Sequence, residues 1–126
     1  MNNFRVLLIV DDNIIARMLV KKSFQFLYPD WKILEAESMK MAEEILSREK
    51  VDMLTVDQNM PDEDGLELAL DVKKRYPDLN ITLLTANIQK SVKDKTIAEN
   101  IGFIEKPIGK ETAIRIMKIY EGKNEN

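Results

Sequence analysis

The chain has 126 residues, enough for one compact domain and too few for two. Charged residues make up 33% with both signs interspersed, and the net charge is −3, so no basic face predicts nucleic-acid binding. The sequence contains no cysteine and no histidine, which excludes thiolate nucleophiles, disulfides, zinc–thiolate sites and imidazole acid–base catalysis. Any chemistry must therefore come from carboxylates, hydroxyls, lysines or a metal ion.

The chain carries no targeting or membrane signal. It lacks a positively charged start followed by a long apolar stretch, and its apolar runs are about as long as strands. We therefore expect a cytoplasmic protein without membrane insertion. No linker, repeat or low-complexity stretch marks a boundary, so one domain is expected over residues 1–121, with a short polar tail at 122–126.

Short apolar runs alternate with segments of helical periodicity along the whole chain. The runs predict strands over residues 6–10, 31–36, 51–56, 81–85 and 103–105. A helix is predicted after each strand: the first ends before Pro29, the second is capped by Ser38, and the others cover 66–76, 89–99 and 110–120. This pattern predicts an α/β fold with a doubly wound, five-stranded parallel sheet of order 2-1-3-4-5 and helices on both faces, a flavodoxin-like architecture.

Two of these helices carry apolar stripes that we expect to face the core. In the first helix the stripe comprises Ile14, Ile15, Met18, Leu19 and Phe24, opposite the polar residues Arg17, Lys21 and Lys22. In the last helix it comprises Ile114, Met117 and Tyr120.

Polar side chains follow four of the predicted strands. Asp11 and Asp12 end the first, Asp57 the third, Thr85 the fourth and Lys106 follows the fifth. Each alone has an ordinary explanation as a helix cap or a turn residue, but parallel strands bring their carboxyl ends to one edge of a sheet. Three carboxylates at close range repel each other unless a cation lies among them, and Mg²⁺ prefers such all-oxygen sites. The joint placement therefore predicts a magnesium site that costs stability when the metal is absent.

The same segments carry a family resemblance that covers essentially the whole chain. In order and approximate spacing, the chain resembles the receiver domains of two-component response regulators, most closely the stand-alone chemotaxis-type receivers. The motifs are Val10-Asp11-Asp12, Val56-Asp57, Met60-Pro61, Asp64-Gly65, Thr85-Ala86 and Phe103-Ile104-Glu105-Lys106-Pro107.

The resemblance implies a role for each residue at the strand ends. Asp57 would be the phosphoacceptor, a carboxylate nucleophile that forms an acyl phosphate. Asp12, Asp57 and the backbone carbonyl of Asn59 would bind Mg²⁺, and Asp11 would act mainly through a bound water molecule. Lys106, preceding a peptide bond that is typically cis in this family, would pair with phosphoryl oxygens.

The resemblance also implies a switch. The hydroxyl of Thr85 would hydrogen-bond the phosphoryl group, and Phe103 would be the aromatic residue that changes position in response. The downstream protein target would bind the face formed by helix 4, strand 5 and helix 5, where the lysines 90, 93 and 95 are expected.

The implied function is that of a single-domain response regulator, since the chain ends just after the last helix. It would accept a phosphoryl group from a sensor histidine kinase or a histidine phosphotransfer protein and signal by protein binding, and it would not be an enzyme. A relay receiver that shuttles phosphate and a receiver fragment of a longer regulator remain open. A flavin electron carrier on the same fold lacks support, because Asp11-Asp12-Asn13 replaces the phosphate-binding loop. An aspartate-nucleophile phosphatase would need an acid where Asn59 stands.

Two positions depart from the family pattern. Glu99-Asn100-Ile101-Gly102 replaces the usual Gly-Ala pair before the fifth strand, and this region looks about one residue short. Asn87 occupies the place where side chains influence the access of water to the phosphoryl group in this family.

Overall fold

A computed structural model of the protein describes residues 4–61, 63–86 and 89–122. Asn87 and the tail from residue 123 onward, which the sequence analysis singled out, lie outside the described residues. The central sheet consists of five parallel strands: β1 (Val6–Val10), β2 (Lys32–Ala36), β3 (Met53–Asp57), β4 (Asn80–Thr85) and β5 (Gly102–Glu105). Their spatial order is β2-β1-β3-β4-β5, so the predicted topology is confirmed.

The helices lie where the periodicity predicted them, within one or two residues. They are α1 (Ile14–Leu27), α2 (Met39–Arg48), α3 (Gly65–Arg75), α4 (Lys90–Ala98) and α5 (Lys110–Tyr120). Between β3 and α3 the chain also forms a short antiparallel hairpin, Asn59–Met60 paired with Glu63–Asp64, that the sequence did not predict. Every described helix is too short or too polar to span a lipid bilayer.

The sheet is buried on both faces, as a doubly wound fold requires. Along β1, Leu7 and Ile9 point into a cluster that also holds buried residues of α1 and α5. Leu8 and Val10, in alternation with them, point into the cluster on the other face, with buried residues of α2 and α3. Because successive strand residues face opposite layers, this alternation explains why the strand reads as a continuous apolar run.

The prediction for the inner face of α1 is wrong for four of its five residues. Val20 and Phe24 are buried, whereas Ile14, Ile15, Met18 and Leu19 are 38–65% exposed. Phe24 packs against the rings of Tyr28 and Trp31, with centroids 4.9 and 5.4 Å away. The packing of α1 against α5 and the sheet therefore selects a different face from the one with the most apolar residues.

The predicted inner stripe of α5 is correct in part. Met117 is buried, and Tyr120 packs edge-on against Trp31 at a centroid distance of 4.9 Å. Ile114 is 40% exposed, and its predicted place is taken by Ala113 and Ile116, which are fully buried. The face of α5 that packs against the core is therefore shifted by about one residue from the predicted face.

The unusual segment after α4 forms a compact helix terminus. Asn100 has φ of 60°, in the left-handed region. Its N–H donates to the carbonyl of Ile97 at 3.2 Å, and the N–H of Ile101 donates to the carbonyl of Thr96 at 2.8 Å. These two bonds are those of a Schellman motif, and Ile101 is buried as the apolar residue that usually accompanies it. The short connection to β5 is therefore closed by asparagine in a role usually held by glycine.

Substitution at position 100 should reveal this backbone requirement. We expect Asn100→Ala to be less stable than Asn100→Gly by about 1 kcal/mol, because a Cβ is disfavoured at positive φ and alanine has no side-chain hydrogen bond to compensate. Urea denaturation of both variants measures the difference. At the neighbouring Glu99, where φ is −97°, the order should reverse, with glycine the less stable. Equal stabilities of the two variants at position 100 would contradict the prediction.

Candidate functional site

The carboxyl ends of β1 and β3 bring three acids together. Val10 lies opposite Val56 in the parallel register, so the residues that follow each strand are neighbours. Asp11, Asp12 and Asp57 each place a carboxylate oxygen within 4.8 Å of the others. Asp11 and Asp57 are both 3% exposed, whereas Asp12 is exposed. The cluster therefore has two buried acids and one acid at its mouth.

A lysine from the end of β5 completes the cluster. Lys106 Nζ lies 2.8 Å from Asp57 Oδ1, an ion pair in which the aspartate side chain is almost fully buried. The backbone N–H of Lys106 donates to the carbonyl of Thr85 at 2.7 Å, which fixes the start of the loop against β4. The Lys106–Pro107 peptide bond is cis, the isomer that the family resemblance implies.

The loop from β3 to α3 folds closely over the base of the site. The Gln58 N–H donates to the carbonyl of Leu84, and its side-chain amide donates to Asp64, the N-cap of α3. A Cβ on Gly65 would lie 2.2 Å from the backbone oxygen of Asp57, closer than any side chain tolerates. Glycine is therefore required here so that α3 can begin directly behind the acid.

These elements enclose an open cleft of about 640 Å³. Among the described residues that line it are Lys106 and five acids: Asp11, Asp12, Asp57, Glu63 and Asp64. The exposed Asn59 also lies on its wall. The cleft is therefore strongly anionic. Among the described residues that line it, Lys106 is the single cation, and it pairs with the buried Asp57.

Thr85 and Phe103 occupy different positions from the acids. Thr85 is fully buried at the end of β4, one residue beyond Leu84, the register partner of Asp57. Phe103 is half-buried on β5 beside Leu83. Neither is among the described residues that line the cleft. The structure thus places Thr85 next to the acid cluster and Phe103 one strand further away.

Burial and the neighbouring charges in the cluster shift the pKa of Asp11. Burial raises the pKa of Asp11 above the usual 3.8, and the nearby charges of Asp57 and Asp12 add to the rise. The N–H of Asn13, which donates to Asp11 Oδ1 at 2.9 Å, and the charge of Lys106 oppose it without cancelling it. The ionised form of Asp11 is therefore disfavoured in the folded protein when no cation is bound.

Asp11→Asn should stabilise the metal-free protein at neutral pH, by on the order of 1 kcal/mol. Because the folded-state pKa is raised, the stability that protonated Asp11 contributes is fully present below about pH 3.8 and is lost as the pH rises through the folded pKa. The gain from asparagine, which can still accept the Asn13 N–H, should therefore be seen at pH 7 and vanish in acid. Denaturation of both proteins across this pH range measures it.

When Mg²⁺ is added, Asp11→Asn should become less stable than the wild type. A ligand that binds only the folded state stabilises it, and the variant has lost a charge from the metal site. A variant less stable than the wild type in metal-free buffer at pH 7 would show that Asp11 is structurally paired instead.

The donor set fits Mg²⁺. Three carboxylate oxygens converge and one of the acids is open to solvent, so a bound cation would offset the repulsion between them. Hard oxygen ligands with room for water and for phosphate oxygens are what this ion requires.

Three residues that shape the site were given no role in it by the sequence analysis. Gly65 allows the close approach of α3, Glu63 lines the cleft, and Arg17 contacts the backbone at the end of β1. The position of Arg17 in the first turn of α1 was a usable signal, because the first turn of a helix after a strand lies beside the strand end. The approach of Gly65 to Asp57 had no such signal in the sequence.

Comparisons with known proteins identify the family. A family model described as the response regulator receiver domain matches residues 7–118. Stress response regulator protein 1 of Candida tropicalis is 31% identical over 94 residues, which cover 75% of this chain and 35% of the relative. The chain thus spans about a third of that relative's length. A chemotaxis protein CheY homolog of Campylobacter jejuni is 39% identical over 82 residues, 63% of this chain and 62% of the relative.

A solved structure supports the fold. The response regulator receiver domain protein (CheY-like) of Methanospirillum hungatei JF-1 superposes with a TM-score of 0.82 at 18% identity, covering 97% of this chain and all of the other. Since the family model covers most of the chain and the sheet order agrees, this chain belongs to the response regulator receiver domain family.

Proposed function

We propose that this protein is a single-domain response regulator that accepts a phosphoryl group on Asp57 in a Mg²⁺-dependent reaction. Receiver domains are phosphoacceptor switches and are generally not classed as enzymes. The observation that carries the proposal is the buried Asp57 carboxylate, paired with Lys106 at 2.8 Å and adjoined by two more acids. This combination supplies a nucleophile, a cation for the transferred group and oxygen ligands for a metal.

The chemistry follows from the position of Asp57. One carboxylate oxygen attacks the phosphorus atom of the donor, and the bond from phosphorus to the leaving group breaks, with the electron pair going to the leaving group. The product is an acyl phosphate on Asp57. The leaving group is the imidazole of a phosphohistidine when a kinase is the donor, or acetate when the donor is acetyl phosphate.

Several residues support this transfer. Asp12, Asp57 and the carbonyl of Asn59 would hold Mg²⁺, with Asp11 acting mainly through a bound water; when bound, the ion neutralises part of the developing charge on the phosphoryl oxygens. Lys106 lies beside Asp57 Oδ1, and its ammonium would form an ion pair with a phosphoryl oxygen after the transfer. The open cleft leaves a path for a donor to approach Asp57 from the side of Asp12.

The partners follow from the family. Receiver domains interact with histidine kinases and with downstream targets. We propose that a sensor histidine kinase or a histidine phosphotransfer protein phosphorylates this chain, and that a protein target binds the face formed by α4, β5 and α5. Two alternatives remain: a relay receiver that passes the phosphoryl group on, and the receiver part of a longer regulator, which the partial coverage of the Candida relative favours.

A small-molecule donor tests the proposed function directly. Incubation with acetyl phosphate and Mg²⁺ should add one phosphoryl group, which peptide mapping after borohydride trapping should place on Asp57. Chelation of the metal should prevent the reaction. An acid-stable phosphate on serine or threonine, or modification that is unaffected by chelation, would argue against the assignment.

Output is proposed to run through Thr85 and Phe103. Phosphorylation adds about −1.5 to −2 charges and three acceptor oxygens at Asp57. Thr85 lies one residue beyond the register partner of Asp57, and its carbonyl already binds the N–H of Lys106. A shift of its hydroxyl toward the phosphoryl group would open space beside β5, into which the half-buried Phe103 can turn at little cost. This movement would reshape the face that includes the exposed residues Lys93 and Ile97 of α4.

Thr85→Ala should separate phosphorylation from output. The variant should accept phosphate on Asp57 but lose most of the gain in target affinity, which for an allosteric coupling is about 5- to 150-fold. Amide chemical shifts along residues 89–120, with and without beryllium fluoride as a phosphoryl mimic, provide the measurement. Thr85→Ser, which keeps the hydroxyl, is the matched control and should respond like the wild type. An equal response in Thr85→Ala would contradict the mechanism while leaving Asp57 as the phosphoacceptor.

A further inference from the structure

Arg17 contacts the backbone of the acidic site without lining the cleft. Its guanidinium Nη1 donates to the backbone carbonyl of Asp11 at 2.6 Å, and its side chain is only 12% exposed. β1 ends at Val10, so the carbonyl of Asp11 lies just beyond the strand ladder. Arg17 therefore supplies the hydrogen bond at the point where the chain leaves the sheet and turns toward Asp12.

The guanidinium is itself held in place by β2. Arg17 Nε donates to Glu35 Oε1 at 3.2 Å, and Lys21 Nζ donates to Glu35 Oε2, also at 3.2 Å. Although burial alone would raise the pKa of Glu35, the hydrogen bonds from Lys21 and Arg17 hold that pKa below its usual value, so the carboxylate stays charged. Arg17 thus forms a brace between β2 and the end of β1.

Three hydrogen bonds now fix Asp11 from different directions. Its N–H donates to the carbonyl of Ala36 on β2 at 3.1 Å, its side chain accepts the N–H of Asn13, and its carbonyl accepts Arg17. Of these three, only the bond from Arg17 comes from a side chain that can be replaced without changing the acid itself or the helix cap. It is therefore the contact through which the placement of the acids can be tested.

We infer that Arg17 is a positioning residue that holds Asp11 and Asp12 in the geometry needed for a divalent cation. This inference rests on the proposed function, because it concerns the same metal site. Partners that orient metal ligands without touching the metal typically contribute 10- to 100-fold to metal affinity or activity. Arg17 is placed for this role by its contact with the backbone between the strand and Asp12.

The sign of the effect distinguishes positioning from simple electrostatics. Arg17 is cationic and close to an anionic cleft, so removing its charge should by itself favour Mg²⁺ binding. A loss of affinity on removing Arg17 therefore cannot come from the change in charge. Lys21 offers a matched control, because it binds the same Glu35 carboxylate and carries the same charge, but its ammonium donates to Glu35 and not to Asp11.

The experiment compares the wild type with Arg17→Ala, Arg17→Lys and Lys21→Ala. Mg²⁺ is titrated into each protein while the amide shifts of residues 10–13 and 57–59 are followed, and the rate of phosphorylation by acetyl phosphate is then measured against Mg²⁺ concentration. Thermal unfolding, followed by circular dichroism, establishes that each variant is folded at the temperature used.

We expect Arg17→Ala to weaken Mg²⁺ binding about tenfold or more. Its phosphorylation rate should approach that of the wild type at saturating Mg²⁺, because a binding interaction and not the chemical step has been lost. Arg17→Lys should recover part of the affinity, and Lys21→Ala should bind Mg²⁺ as tightly as the wild type or slightly more tightly.

Unchanged or tighter Mg²⁺ binding in Arg17→Ala would overturn the inference and leave the proposed function intact. So would an equal loss in Lys21→Ala, which would trace the effect to Glu35 or to general stability. If the wild type neither bound Mg²⁺ nor took up phosphate, the proposed function would fail and the role of Arg17 would fail with it.

Discussion

Asp57→Asn is expected to reduce phosphoryl incorporation from acetyl phosphate to the background of the reagent alone. The amide has nearly the same size and can keep an oxygen beside the Lys106 ammonium, but it is not a nucleophile at neutral pH. Because asparagine has nearly the same shape as aspartate, it should fit this buried position, and the fold should survive the change. Intact-mass measurement before and after incubation with the donor and Mg²⁺ gives the extent of modification.

Asp64→Asn is the matched control for this experiment. Asp64 also lines the cleft, so its replacement removes one negative charge from the same surface. Its structural task is to cap α3, where its Oδ1 accepts the N–H groups of Leu66 and Glu67, and asparagine caps helices about as well as aspartate. The control should therefore incorporate phosphate. Full modification of Asp57→Asn would show that the phosphoacceptor is a different residue.

Asp12→Ala is expected to remove the dependence of phosphorylation on divalent metal, together with most of the activity. Asp12 is the exposed member of the acidic cluster, and its carboxylate lies within 4.8 Å of the other two. Its loss leaves two buried carboxylates, one of which is already paired with Lys106. Since oxygen ligands dominate the binding of Mg²⁺, we expect affinity to fall by at least about tenfold, a loss usual even for residues that only support the ligands.

Stability provides a second measurement of the same loss. In the wild type, Mg²⁺ should raise the melting temperature in proportion to the logarithm of its concentration above the dissociation constant, and in Asp12→Ala this rise should begin only at a Mg²⁺ concentration about tenfold higher or more. Asp30→Ala is the charge-matched control, because Asp30 is exposed in the turn before β2, at the end of the sheet opposite the acids. If Mg²⁺ raised the melting temperature of Asp12→Ala as much as that of the control, the metal site would not include Asp12.

The sheet and the acids at its edge were predictable because both depend on short-range patterns. Apolar runs such as Val6–Val10 identify strands buried on both faces, and the alternation with helices permits few strand orders. Once the strands are parallel, their carboxyl ends coincide, so the meeting of Asp11 with Asp57 follows from counting residues. These conclusions required no knowledge of side-chain packing.

The features that depend on packing between distant elements were not predictable. In α1 the residues with the strongest apolar character, such as Ile14 and Leu19, are exposed, while the helix turns Phe24 toward Trp31 and α5. Periodicity identifies a face but does not show which surface is available to cover it. The contact of Arg17 with Glu35 and the approach of Gly65 to Asp57 likewise join elements whose separation only the folded chain determines.

The aromatic cluster at the other end of the sheet has a practical consequence for all these measurements. The chain has a single tryptophan, Trp31, which is held between the rings of Phe24 and Tyr120 just before β2 begins. The acids lie beyond the opposite ends of the strands, a strand length of about 16 Å away for five residues. We therefore expect tryptophan emission to report the integrity of the fold with little response to the charge state of the cleft. Unfolding of metal-free, metal-bound and phosphorylated protein should then be measurable with one optical signal.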